Sequence, residues 1–500
     1  MRARMNPLAQ SPLGSVWTSV SRRDFERNID ELERKRVILE PRDYTDKELS
    51  DETDATAALP LHLEHNLADD FAYISAYDVG VDHITAATIE YSGSSGITVR
   101  LAANEGVEDC VQAAIKEVLR ILKECDRRCS HRERSEEDIL SIVVCLNKNR
   151  IYSRLRSRRH KKSTKGRKNH TGGQEKKLLS LDLKNLVGQQ DEQTRNKLQE
   201  LATLRAEIDE FISLVEQVES SENPEPMEEL KKVVKKAWLI AEKKIGIKHR
   251  LGRLGVLSDR LDSPTIQDMD KIANYWRICQ DLVKIRQARE TRHLLDDPRL
   301  EVIENYKDAG SASKECFTPR YVHAEIQLIA YYEASGNKTS ARIIGASREA
   351  CFLCDAFIKA HGRFSVSKAH RQVMNIWTVP ERKDYGAESL ERVRRAIMTV
   401  NSEVRQEVVS KKPRPRTYPK QSSVNLNRFV IISPTLKLLK VYHQASEREV
   451  QYLYKKAGHG AGHSVEWHTC SFQSRANSFK GSGNCTDEQR PSRYGKWANK

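Results

Sequence analysis

A chain of 500 residues, 38% hydrophobic and 31% charged, has room for about two to four domains but is too polar to fold along its whole length. A formal net charge of +15 leaves two readings open, an acidic partner such as nucleic acid or a merely solvated basic surface. The 10 cysteines are scattered, which excludes the dense spacing of a secreted disulfide scaffold and makes reduced thiols the expectation.

Residues 1–54 are polar and read as a disordered or loosely helical N-terminus. The first 24 residues carry arginines but no apolar core, so no secretory signal is expected. A mitochondrial presequence and an ordinary tail share that composition. No apolar run approaches a bilayer's thickness, so a soluble, intracellular protein of the nucleus or cytoplasm is expected, with no membrane partner. Residues 55–150 form an N-terminal α/β region: HITAATIEYS (83–92) and GITVRLAAN (96–104) are β-branched runs around an SGSSG turn, a hairpin pattern. Residues 107–125 follow with Val111, Ala114, Ile115, Val118, Leu119 and Leu122 at helical spacing.

SRLRSRRHKKSTKGRKNH (153–170) holds nine Lys or Arg and no acid, and its self-repulsion keeps it unfolded. It reads as the core of a basic linker, 151–173, and equally as a localisation signal, a nucleic-acid arm or a solvated spacer. Residues 174–300 are helical. Leu201, Leu204, Ile208, Phe211, Val215 and Val218 form a seam for a partner helix, intramolecular or in another protein. Pro224 and Pro226 break it, Leu230, Val233, Ala237, Ala241 and Ile245 mark a second helix, and Ser263-Pro264 opens a third.

Residues 301–410 carry the chemistry. The order is a helix from 323 to about 333, a Ser-Gly-Asn turn, a strand ARIIGA, and a helix from about 347 to 362. A further amphipathic helix follows from 387 to 407. In YVHAEIQLIAYYE (321–333) His323 and Glu325 are two apart, and a regular helix turning about 100° per residue would send them to opposite sides. They can serve one site if His323 is the non-helical cap residue and Glu325 lies in the first turn. In REACFLCDAFIKA, Cys351 and Cys354 share one face of a helix start, where unpaired amides and the dipole favour thiolates. One imidazole and two thiolates make a three-ligand zinc site with an open fourth position. Zinc there would make water a nucleophile, and Glu325 would shuttle the proton. His-x-Glu with Cys-x-x-Cys is the signature of the zinc nucleobase deaminases.

HAEIQLIAYYE, then IIGAS, CFLCDAFIKAHG and WTVP (377–380), resemble the fungal branch of the predicted nucleic-acid/nucleotide deaminases, closely over about 302–380 and more loosely at the N-terminal hairpin. The resemblance implies a three-layer α/β/α cytidine deaminase-like core, Zn2+ as cofactor, His323, Cys351 and Cys354 as its ligands, and Glu325 as catalytic acid/base. It implies hydrolytic deamination of cytosine or adenine, in single-stranded nucleic acid or a free nucleotide. A catalytically silent scaffold for nucleic acid or protein is the competing class. Ala350 stands where many deaminases have proline.

A closed structural zinc, with Cys316 or His370 as fourth ligand, would instead leave Glu325 without water to deprotonate. Cys125, Cys129 and His131 could also hold a metal or simply form a buried helix face. His459, His463, His468 and Cys470 sit in a Gly-rich tail. Trp377 and Phe352 read as base-stacking or packing residues. The basic stretch Lys231 to Lys236 and the Pro/Arg run KKPRPRTYPK are candidate phosphate contacts. Residues 411–500 read as linker, a short strand (RFVIIS) and a mostly disordered tail.

Overall fold

The structure, a computed structural model, describes residues 14–35, 39–44, 59–91, 93, 96–125, 129–155, 198–220, 226–241, 247–253, 264–306, 320–336 and 341–410. All lie in the first of two compact units, Met1–Phe429. The basic run beyond 155, the Pro/Arg run, RFVIIS, the Gly- and His-rich tail and Cys316 lie outside the described residues.

Within 1–54, Arg22–Arg34 form a regular helix, α1, where the sequence suggested disorder or loose helicity. Ser21 caps it by accepting from the Asp24 amide, and Phe25, Ile29 and Leu32 recur every three to four residues on a buried stripe. That stripe joins the main core, and Arg320 clasps Asp30 of α1 through Nη2 at 3.0 Å, which is why this charged segment docks.

The strand β1 (Arg42–Asp43) precedes α2 (Leu61–Ser75) and a hairpin of β2 (Thr85–Tyr91) and β3 (Ile97–Ala103), antiparallel from Thr85↔Ala103 to Tyr91↔Ile97. The helices α3 (Asp109–Glu124), α4 (Cys129–Leu146), α5 (Lys148–Leu155), α6 (Leu198–Ser220), α7 (Met227–Ile240), α8 (Ile247–Arg253) and α9 (Pro264–Gln287) come next. The chain then returns through β4 (Arg299–Val302) to α10 (Ala324–Ser335), β5 (Ile343–Ala346), α11 (Phe352–His361), β6 (Ser365–Val366), β7 (Lys368–Ala369) and α12 (Ala387–Val409).

The central sheet has the order β4-β3-β2-β5-β6. The β3/β4 and β5/β6 pairs are parallel, and β2 pairs antiparallel with both β3 and β5. Alternation along β2 divides its faces. Thr85 Oγ1 donates to Ala72 O of α2, whereas Thr88 Oγ1 lies 2.8 Å from Tyr332 OH of α10. Helices therefore cover both faces, and the molecule is an α/β fold with α2 on one side and α10 and α11 on the other. Gly345 permits the α2 side to close: a Cβ there would lie 2.1 Å from the Ala68 carbonyl carbon. Glu64 of α2 then accepts from the Ile343 amide at 2.9 Å, fixing the start of β5.

The helices between β3 and β4 pack on one another, with α9 against α4, α5, α7 and α2. The expected seam is buried at Leu204, Ile208, Phe211, Val215 and Val218, facing α7, whose Leu230, Val233 and Ala237 are also buried. The bundle is bolted to the sheet layer through Arg277 of α9, which pairs with Asp70 of α2 and, at 3.0 Å, with Asp281. Burial raises Asp70 to about 6 despite that guanidinium. No helix among the described residues is long and apolar enough to cross a membrane.

Candidate metal centre

His323 is the N-cap of α10, with extended backbone (φ −63°, ψ 152°), and its ring makes no capping bond. The orphan amide of Ala324 is satisfied instead by Asn104 Oδ1, reaching over from the end of β3 at 2.9 Å. Gln327 secures the same turn by donating to Val322 O at 2.8 Å and Ala103 O at 3.0 Å. The imidazole caps no amide and is turned to the two sulfurs instead. Glu325 occupies the first turn, as the two-residue spacing required. Ile326, Ile329 and Ala330 are buried, but so is nearly all of α10, since the sheet covers one side and α11 and α12 approach the other.

Helix α11 starts at Phe352, five residues later than the sequence suggested. The intervening chain is pinned instead by an Ala350 amide donating to Lys368 O at 2.9 Å. A proline at 350 could not make that bond, which gives the alanine a physical reason. Cys351 is the N-cap, and its sulfur accepts from the Cys354 amide at 3.4 Å.

The two helix starts face each other. His323 Nδ1 lies 3.4 Å from Cys354 Sγ and 3.7 Å from Cys351 Sγ, and the three ligand atoms fall within 4.8 Å of one another. Tetrahedral zinc with Zn–S near 2.3 Å and Zn–N near 2.0–2.1 Å would set each S···N distance at about 3.6 Å. The donor set and its spacing fit that ion. All three side chains are buried, and this is the metal-type cluster among the described residues. His370 lies outside it, its Nδ1 accepting from the Gln372 amide at 2.9 Å. Cys125 is buried and His131 exposed, and neither belongs to such a cluster.

Burial opposes charge on both thiols. Hydrogen bonding with Cys354 and the neighbouring His323 nonetheless hold Cys351 well below its ordinary value, while burial and the Cys351 sulfur push Cys354 well above. Burial would lower His323, but the Cys351 thiolate raises it. Glu325 is raised by burial against the pull of His323, and its Oε2 has no hydrogen-bond partner among the described residues. A buried carboxylate oxygen left unsatisfied beside a donor cluster is costly unless something polar is meant to meet it.

Trp377 is fully buried and donates from Nε1 to Cys354 Sγ at 3.3 Å, so it is no platform for a base. The sequence hinted at packing or stacking but carried no sign of this bond. A parallel bridge to Tyr321 places it, with Phe25 and Phe357 against its ring. Phe352 is buried under the Arg371 guanidinium. Of the basic stretch on α7, Lys231 pairs with Glu228 and Glu137, Lys235 with Glu137 and Lys236 with Glu210, which leaves Lys232 exposed.

Fold and site together define an α/β protein with a buried His/Cys/Cys centre between two helix N-termini. Residues 322–381, which contain that centre, match the family model described as OTT_1508_deam:-like deaminase, so this part of the chain is similar to a deaminase domain. No curated protein matches the chain, and no solved structure does.

Proposed function

We propose that the chain is a zinc-dependent hydrolytic deaminase with a cytidine deaminase-like core, acting on a cytosine or adenine base in single-stranded nucleic acid. The observation that carries the reading is the pair of distances from His323 Nδ1 to the two sulfurs, 3.4 and 3.7 Å, beside the Glu325 carboxylate, whose Oε2 has no hydrogen-bond partner among the described residues. The family match over the same residues agrees with it. Zinc in such a donor set supplies Lewis acidity that makes water a usable nucleophile near neutral pH.

Glu325 performs the proton work. Its raised pKa suits a group that must both accept and return a proton: it takes one from the attacking water and delivers it to the ring nitrogen, then assists the exocyclic amine. The water oxygen bonds to C4 of cytosine or C6 of adenine, the C–N bond breaks, and ammonia leaves. Burial of Glu325 and His323 takes both out of bulk solvent, so that their mutual electrostatic interaction is less screened. The preference for a single strand rests on cost, because a paired base must first be unstacked and extruded. The surplus of positive charge and the run of nine bases at 153–170 supply contacts for a phosphate chain.

The test is metal content per chain, then ammonia release from nucleosides and from single-stranded RNA and DNA. Glu325→Gln keeps the metal and abolishes release. A parent protein that releases no ammonia from any of these substrates overturns the proposal in favour of a silent scaffold. Release from nucleosides alone overturns the polynucleotide part.

A further inference from the structure

The metal-type cluster sits at the N-terminal end of α11. Along the rest of that helix lies a cavity of about 650 Å3, lined by none of His323, Glu325, Cys351 or Cys354. Two acids line it, and both are already engaged. Asp43 pairs with Lys368 Nζ at 3.1 Å. Asp355, almost wholly buried, accepts from Tyr44 OH at 2.5 Å and Arg42 Nη1 at 3.2 Å and pairs with Arg371 Nε at 3.2 Å.

Three bases on the same wall, Arg42, Arg342 and Lys359, have donors to spare. Lys359 is exposed and makes no hydrogen bond or ion pair among the described residues. Arg42 uses only Nη1, which leaves Nε and Nη2. Arg342 uses Nε and Nη2, on Glu64 and Leu59 O, which leaves Nη1. A concave surface with neutralised carboxylates and unspent guanidinium and ammonium N–H groups holds positive potential and selects an anion. Forked guanidinium donors beside a lysine are the usual means of holding phosphate. The rest of the lining mixes apolar side chains, Leu61, Ile358 and Phe364 among them, with Tyr44, Ser365 and Arg363, which pairs with Glu333, and the volume falls in the range of small-molecule sites, about 300–1,000 Å3.

We infer that this cavity binds a phosphorylated, ring-bearing small molecule of mononucleotide size, at a site separate from the metal centre. The inference does not rest on the proposed deamination.

The full chain carrying Glu325→Gln, which cannot turn over substrate by the proposed route, is titrated calorimetrically with adenosine 5′-monophosphate, adenosine and inorganic phosphate. The monophosphate binds, and adenosine and phosphate each bind about tenfold more weakly or worse. Lys359→Glu, at an exposed side chain that leaves the fold intact, weakens the monophosphate by about tenfold or more, and Arg42→Gln does the same. Cys351→Ser, which dismantles the metal cluster, leaves the affinity unchanged. Absence of binding, affinity untouched by Lys359→Glu, or affinity lost with Cys351→Ser overturns the inference. Phosphate alone binding as tightly as the monophosphate overturns the ring-bearing part. Ammonia release, measured separately, is indifferent to these outcomes.

Discussion

Trp377 Nε1 donates a hydrogen bond to Cys354 Sγ at 3.3 Å, and the indole is held there by Phe25 of α1 and Phe357 of α11. The N-terminal helix, far away in sequence, is thereby packed against the support of a candidate metal ligand. Such outer donors stabilise the thiolate and fix its direction. Trp377→Phe preserves most of the packing but removes the donor. Metal affinity, measured by competition with a chelator, falls about 10- to 100-fold while the far-UV spectrum is unchanged. Equal affinity in the two proteins would show that the bond does not matter.

Glu333, at the far end of α10, is buried and faces His361 Nε2 at 3.2 Å, Arg363 Nη1 at 3.3 Å and Arg392 Nε at 3.6 Å. Burial opposes its charge, but the polar side chains of His361 and Ser389 and the Arg392 guanidinium override that and hold its carboxyl at about 2, against an ordinary 4.5. A carboxyl depressed on folding adds stability that is present above its unfolded pKa and lost as pH falls through the folded one. Up to about 3 kcal/mol should disappear between roughly pH 4.5 and 2. Denaturant melts at pH 7, 4 and 3 check this: the parent loses stability steeply over that window, and Glu333→Gln, weaker at pH 7, shows a flatter profile.

Gly345 lies where the backbone of α2 touches β5, and a Cβ there would meet backbone atoms at 2.1–2.4 Å. Backbone cannot swing aside as a long side chain can. Gly345→Ala therefore lifts α2 from the sheet and costs about 3 kcal/mol or more. A melting temperature within a degree or two of the parent's would contradict this close approach.

Local periodicity revealed much of the secondary structure. Thr85–Tyr91 and Ile97–Ala103 are strands because β-branched residues flank a glycine turn, and the seam from Leu204 to Val218 is buried as spaced. The cap position of His323 followed from the angular argument about Glu325. What remained hidden depends on partners remote in sequence. Arg22–Arg34 is a charged helix whose order comes from Phe25, Ile29 and Leu32 finding a core built much later in the chain. The first amide of α10, that of Ala324, is taken by Asn104, which no spacing rule could have disclosed. The lysines of α7 read as a phosphate contact, yet three of them are taken up by glutamates of α4, α6 and α7 itself.

The insertion of a helical segment, with seven helices among its described residues, between β3 and β4 has a kinetic consequence. Arg100 meets Glu301 across 201 residues and Asn104 meets Ala324 across 220, so both contacts close very long loops. Closure entropy grows with the logarithm of loop length, and a segment already collapsed into a bundle is a far shorter tether than an open chain. Helices formed from neighbouring residues are the fast part of such a topology. The order of assembly should therefore run from bundle to sheet to metal ligands, and pulsed hydrogen exchange during refolding should protect α9 amides before those of α10. Simultaneous protection would show instead that the ligands gather without waiting for the bundle.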